Sequence, residues 1–283
     1  MLNSWLLLWI HYKTNMEREE KLTQISVPTK NNELLEKALE KINTNTEIHT
    51  LWRVINVNAI DRMKYSDHGP VHVQIVANVA LRLMRILHNA DVKMAVEKDY
   101  KLSYEHAELV VFLASLMHDL GMSISRRQHE EFSLILANDL LKELLDFLPT
   151  EERIIIKSEV LHSIISHRKG GDAQTLEAGI VRVSDALDMS EGRARVAYES
   201  GEKNIHAVSA SAINGVDIKE GNSEDGIIQI LIKMNNSAGL FQIDDLMAGK
   251  IKGTGLEKYI AVRAIIDGET EKKLMEEYII KDF

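Results

Sequence analysis

Four ionisable residues stand where apolar ones are expected. His118-Asp119 directly follows Val110-Val111-Phe112-Leu113-Ala114-Ser115-Leu116-Met117, a run suited to a protein core. Uncompensated charge in such a place is costly. His72 lies at spacings of three and four from Val76, Val79, Leu83 and Leu87, so on a helix it points where the apolar stripe points. Asp185 shares a helical face with Ala178 and Val181. Alone, His72 reads better as a buried histidine bonded to a carbonyl. As a set, His72, His118, Asp119 and Asp185 point to a divalent metal, the commonest partner that holds imidazole and carboxylate side by side. The nitrogen donors favour manganese, iron, cobalt, nickel or zinc over magnesium alone.

The elements that must carry these residues are mostly helices. Asn32 is a candidate cap for a helix to about Ile42, and Thr46 for one to about Met63. Pro70 suits the first turn of a helix running to about His88. Residues 91–102 read as a polar connection. Ser103 opens the helix that ends at His118, and Gly121 stops it. Further helices are expected from His129 to Pro149, from Thr150 to near His167, and from Leu176 to Met189. His49 and His88 read as surface or boundary residues.

Beyond Gly201 the texture changes. Ile205–Ala210, Ile213–Lys219, Ile227–Met234 and Tyr259–Ile266 read as strands. A helix over Phe241–Lys250, capped by Asn236 or Ser237, and a closing helix over Glu269–Tyr278 complete the tail. The expected fold class is therefore mainly α, an all-helical bundle followed by a small α+β C-terminal domain. The expected divisions are a loose segment at 1–30, a helical domain at 31–200 and the α+β unit at 201–283. Strands such as Ile228-Gln229-Ile230-Leu231-Ile232 could pair in a homodimer or pack on the helical body.

Bulk properties narrow the function. The chain has 283 residues, 45% hydrophobic and 27% charged, with a net charge of −9. That balance argues against a protein that coats extended nucleic acid. It leaves room for a local basic pocket. With no cysteine, disulfides, iron–sulfur clusters and thiol catalysis are excluded, and a cytoplasmic location is expected. Trp5-Leu6-Leu7-Leu8-Trp9-Ile10 falls far short of the roughly 18 residues a membrane span needs. Met16-Glu17-Arg18-Glu19-Glu20 reads as a soluble beginning, which makes residues 1–15 an expected upstream extension.

In order and context the set resembles the HD superfamily of metal-dependent phosphohydrolases. The family pattern is a histidine, a His-Asp pair and a distant aspartate. His72, Leu116-Met117-His118-Asp119-Leu120-Gly121 and Val183-Ser184-Asp185-Ala186-Leu187-Asp188 match it. The resemblance covers about residues 60–190. It implies an all-helical HD bundle, one divalent metal held by His72, His118, Asp119 and Asp185, and hydrolysis of a phosphate mono- or diester. A metal in this role lowers the pKa of its water and draws charge off a phosphoryl oxygen. The implied substrate is a small phosphorylated molecule, a nucleotide or cyclic phosphodiester.

An outer ring is less determined. His68 and His72 form His-x-x-x-His, similar to the signature of cyclic-nucleotide phosphodiesterases, where the first histidine is the general acid. That comparison assigns His68 to leaving-group protonation. Asp67 and Gly69 depart from the signature, and a capping or surface role is the alternative. His129 and His167 are candidates for a second metal or for substrate. Two-metal relatives often end in His-His where this chain has His167-Arg168, which weighs against a complete second site. His162, five residues from His167, is off that face. Arg126, Arg127, Arg168, Lys169, Arg193 and Arg195 are candidate phosphate contacts, although most loop cations are only solvated. Ser184 through Arg195 also resembles part of the ribonuclease Y catalytic domain. A phosphodiesterase on short RNA, a di-iron oxygenase and a nucleotide-binding regulatory module are thus the competing readings.

Overall fold

A computed structural model of the chain describes residues 23–168, 170–189, 209, 212–222, 225–241, 243 and 249–266, and the backbone of 277–280. The body is helical: α1 (Glu33–Thr44), α2 (Thr46–Asn56), α3 (Pro70–Asn89), α4 (Ala95–Asp99), α5 (Tyr104–Met117), α6 (His129–Leu144), α7 (Thr150–Ser166) and α8 (Leu176–Leu187). At its centre lies α5, every residue of which from Ala107 to Met117 is buried. A helix apolar on all sides must be enclosed, and α3, α7, α8 and α1 pack around it. α3 is long and apolar enough to cross a membrane. It instead buries most of its length in the bundle.

Local chemistry sets several boundaries. Asn32 caps α1, its Oδ1 accepting from Leu34 and Leu35 N–H at 3.0 Å each. Asn45, not Thr46, caps α2 through a bond from Ile48 N–H. That helix does not run on as α-helix to Met63. It changes at Val57 into a π-helical turn to Arg62. Pro149 stands at the cap position of α7, so Thr150 is its first residue rather than its cap. Residues 91–102 contain α4, which the sequence pattern did not suggest. Glu177, 82 residues away, accepts from Ala95 N–H and orders its first turn. His49 is buried, with Nε2 3.1 Å from Ile42 O, and not at the surface. His88 is exposed and stacked on Tyr104.

The tail is a four-stranded sheet in the order β1 (Ile213–Asn222), β2 (Gly226–Met234), β3 (Ile260–Ile266), β4 (Glu277–Ile280). β1 and β2 are antiparallel, β2 and β3 parallel, and β3 and β4 antiparallel. The inward alternation of Ile228, Ile230, Ile232 and Met234 with Ile260, Val262, Ala264 and Ile266 gives one buried face. That face joins the same core as the helices, and β2 reaches α3. Tyr278, the last residue of the expected closing helix, belongs to β4, opposite Ala264, while residues 269–276 lie outside the described residues. Pairing with β3 decides the state of Tyr278. Asn236 caps a 3-10 turn at Ser237–Gly239, and Gly249–Ile251 forms one helical turn, labelled α9. Most of the expected strand at Ile205–Ala210 and of the helix at Phe241–Lys250 lies outside the described residues, as do residues 1–22.

The His118-Asp119 corner is clamped from two sides. Trp52 Nε1 donates to Leu116 O at 3.1 Å. Ser133 Oγ donates to His118 O at 2.7 Å and accepts from Gly121 N–H at 2.8 Å. Gly121, in the 3-10 turn Leu120–Ser123, lies so close to α6 that a Cβ would collide with His129 O and Ser133 N. Gly121→Ala should therefore cost about 1–3 kcal/mol through overpacking. Thermal unfolding reads this as a fall of several degrees, and an unchanged melting temperature would show that the turn has room.

Candidate metal centre

Eight residues distant in sequence converge below this corner. His72 comes from the first turn of α3, His118 and Asp119 from the end of α5, His129 from the start of α6, His167 from the end of α7, and Asp185 and Asp188 from the end of α8. Lys250 comes from α9 in the C-terminal tail. His72, His118, Asp119, His129 and His167 are all buried.

Each imidazole is held by its Nδ1 and presents its Nε2 inward. His72 Nδ1–H donates to Asp188 Oδ2 at 2.6 Å. His118, His129 and His167 donate from Nδ1 to the carbonyls of Ser115, Arg126 and Ile164 at 2.9, 3.0 and 2.6 Å. Such outer contacts fix tautomer and ring orientation in metal-binding histidines. His72 Nε2 and His118 Nε2 are then only 3.2 Å apart. Two ring nitrogens whose donors are spent elsewhere would oppose lone pair to lone pair. A proton or a cation must stand between them.

The donors sort into two sets. His72 Nε2, His118 Nε2, Asp119 Oδ2 and Asp185 Oδ1 form the first, with measured separations of 3.2, 3.3, 3.6, 3.6 and 3.7 Å. Neighbouring donors at bonds of about 2.1 Å to one ion stand about 3.0–3.5 Å apart. His72, His118 and Asp119 group as candidate ligands of one ion, and Asp185 groups with His118 and His167, its Oδ1 standing 3.6 Å from His72 Nε2. The second set uses the other oxygen of the same carboxylate: Asp119 Oδ1 is 3.1 Å from His129 Nε2 and 3.8 Å from His167 Nε2. The His167-Arg168 sequence weighs against a complete second site; Asp119, His129 and His167 form a further group of three candidate ligands.

The titration of these groups follows from their crowding. Burial opposes charge on His118, but the carboxylates of Asp119 and Asp185 outweigh it and push its pKa up to about 10. Burial alone would raise Asp119 and Asp185. The histidines beside Asp119, and Lys250 with His118 beside Asp185, hold both well below the usual carboxylate range. His167 is driven well below its ordinary value by burial and by the neighbouring charges of His118 and Lys250. It therefore keeps a lone pair at neutral pH.

The remaining candidates fall at the rim or away from it. His68 is buried, its Nδ1 2.8 Å from Ser66 O and its ring centre 5.4 Å from that of His72. Asn56 and Asp67 hold this corner. Asn56 Oδ1 accepts from His68 N–H at 3.1 Å, and Asp67 Oδ1 accepts from His72 N–H at 3.0 Å. Arg126 is exposed, with its guanidinium 5.9 Å over the Tyr65 ring. Arg127 is exposed. Arg168 turns to solvent and pairs with Glu131 at 3.1 Å. His162 contacts Gln174 N–H and Ser166, outside the cluster. Lys169, Arg193 and Arg195 lie outside the described residues. Two members of the cluster had not been read as site residues in the sequence: Asp188, for which the Asp-x-x-Asp spacing from Asp185 was the only signal, and Lys250, for which there was none.

The fold and site define a class. Residues 71–190 match the HD domain family, and the chain belongs to that family of metal-dependent hydrolases. It is 37% identical over 237 residues to the uncharacterized protein MJ1020 of Methanocaldococcus jannaschii, covering 83% of this chain and 90% of that one. No solved structure matches the chain.

Metal binding must displace the proton that His118 holds below a pKa of about 10. Affinity should rise with pH between 6 and 9, with about one proton released per first ion bound. Calorimetric titration in buffers of different ionisation enthalpy measures this. A pH-independent affinity with no proton release would contradict the site.

Proposed function

We propose that this protein is a metal-dependent phosphohydrolase that cleaves a phosphate ester of a nucleotide or a cyclic phosphodiester. The observation that carries the reading is the convergence of His72, His118, Asp119, His129, His167 and Asp185 into overlapping groups of candidate ligands, with Asp185 Oδ1 3.6 Å from His72 Nε2. The donor chemistry, imidazole with carboxylate, fits manganese, iron, cobalt, nickel or zinc. We assign His72, His118, Asp119 and Asp185 to one ion, and Asp119, His129 and His167 to a second. When bound, such ions supply an activated water and withdraw charge from the phosphoryl oxygens.

The chain's own residues do the rest. Asp188 holds the His72 ring in one tautomer. His68, fixed by Ser66 and by the Asn56–Asp67 pair, protonates the leaving oxygen. Arg126 and Arg127, in the polar stretch just past the His-Asp corner, meet the outer phosphate oxygens. The net charge of −9 supports a small substrate over extended nucleic acid, and the lack of cysteine supports a cytoplasmic location.

Purified protein supplemented with manganese, cobalt, nickel or iron should hydrolyse a bis-aryl phosphodiester, a monoester, a nucleotide or a short RNA. Asp119→Ala should remove both bound metal and activity. Stoichiometric metal with normal turnover in that variant would refute the assignment. His68→Ala should keep its metal and lose about 10²–10⁴-fold in rate for poor leaving groups, and much less for good ones. Equal losses would exclude a general acid at His68.

A further inference from the structure

The C-terminal tail reaches into the centre through one residue. Lys250 Nζ donates to Asp185 Oδ2 at 2.9 Å and to His167 O at 2.7 Å. Its side chain is 17% exposed, and that of Asp185 16%. This ammonium therefore touches one residue of each donor set. It occupies the Asp185 oxygen that faces away from His72 and His118, and it takes a carbonyl at the end of α7.

Its placement is not left to a flexible stem. Arg182, one helical turn before Asp185 on α8, is buried and donates from Nη2 to Gly249 O at 2.9 Å and from Nη1 to Gly171 O at 2.8 Å. One turn earlier, Gly179 allows close approach of the same tail segment. A Cβ there would lie 2.6 Å from Thr254 O. A single face of α8, through Gly179, Arg182 and Asp185, thus grips residues 249–254 at three successive points. One of those points, Arg182, is a buried charge, for which a replacement partner would be costly to find.

We propose that Lys250 is a positioning residue of the metal centre, and that the α+β tail is a working part of that centre. Lys250 reserves Asp185 Oδ2, so that Asp185 offers Oδ1 alone to the first donor set. It also locks the end of α7, which carries His167, to the end of α8, which carries Asp185. The inference rests on the metal reading above. It adds that the ligand field of the first ion is set from outside the helical body.

Cobalt(II) bound to the full-length protein tests this, because its visible absorption intensity falls as coordination number rises. Wild-type protein should give a defined spectrum at a fixed stoichiometry. Lys250→Met should still bind cobalt, with a changed and weaker visible band, because Asp185 can then turn both oxygens to the ion. Its turnover should fall about 10–100-fold. Lys250→Arg should restore much of the spectrum. Gly179→Ala alters neither a ligand nor the Lys250 side chain but displaces the tail segment that carries Lys250. It should reproduce the spectral change, and it serves if Lys250→Met does not fold. In an Asp185→Asn background, Lys250→Met should change the visible band much less than it does in the wild type. A Lys250→Met or Gly179→Ala spectrum superimposable on wild type would overturn the proposal while leaving the metal centre intact. A wild-type protein that takes up no cobalt would remove the metal reading itself.

Discussion

Everything in this molecule answers to the problem of keeping carboxylates in a core. Asp119 and Asp185 sit at the ends of helices that are otherwise among the most apolar in the chain. An isolated ionised carboxylate in such surroundings is prohibitively costly. Four imidazoles and one ammonium surround the pair. The arrangement holds only because each ring has spent its Nδ1 on a fixed acceptor. The crowding of Nε2 atoms that results is tolerable only with a proton or a metal between them.

This constraint explains why the helices meet as they do. α5 is enclosed on every side, so its last turn can deliver His118 and Asp119 to a dry interior. α3 passes beside it and brings His72, while α6, α7 and α8 each end or begin at the same place. Helix termini suit the task, because backbone carbonyls there lack helical partners and can accept an imidazole N–H. Ser115 and Ile164 give carbonyls in this way from the last turns of α5 and α7, and Arg126 gives one from the turn before α6.

Much of this could be read from residue order. The apolar run before His118-Asp119, the stripe carrying His72 and the face carrying Asp185 each exposed a candidate ligand, because polarity on a buried face is conspicuous. Strands β1, β2 and β3 were legible from their period-two alternation. What stayed hidden depends on tertiary pairing. α4 exists because Glu177 orders it from 82 positions away. Tyr278 is a strand residue because β3 lies beside it. Arg168 looked like a missing ligand by its neighbour's family pattern, yet the second donor set is built from His129, and Arg168 pairs with Glu131 at the surface. Lys250 lay in a stretch without any motif, and only the grip of α8 brings it to Asp185.

The order in which these parts are synthesised then matters. Asp188 is the last helical-body residue to join the cluster, 116 positions after His72. Lys250 follows Asp185 by 65 positions. At about 5–20 residues per second, a ribosome supplies it roughly 3–13 s later. Throughout that interval the emerging helical body carries Asp185 without its permanent counter-cation. A nascent chain can settle that charge by staying loose or by taking a proton or an ion early. The body and its tail are therefore one folding problem, separated in the order of translation and joined by a shared core, by the contacts of α8 with residues 249–254 and by the Lys250 ammonium.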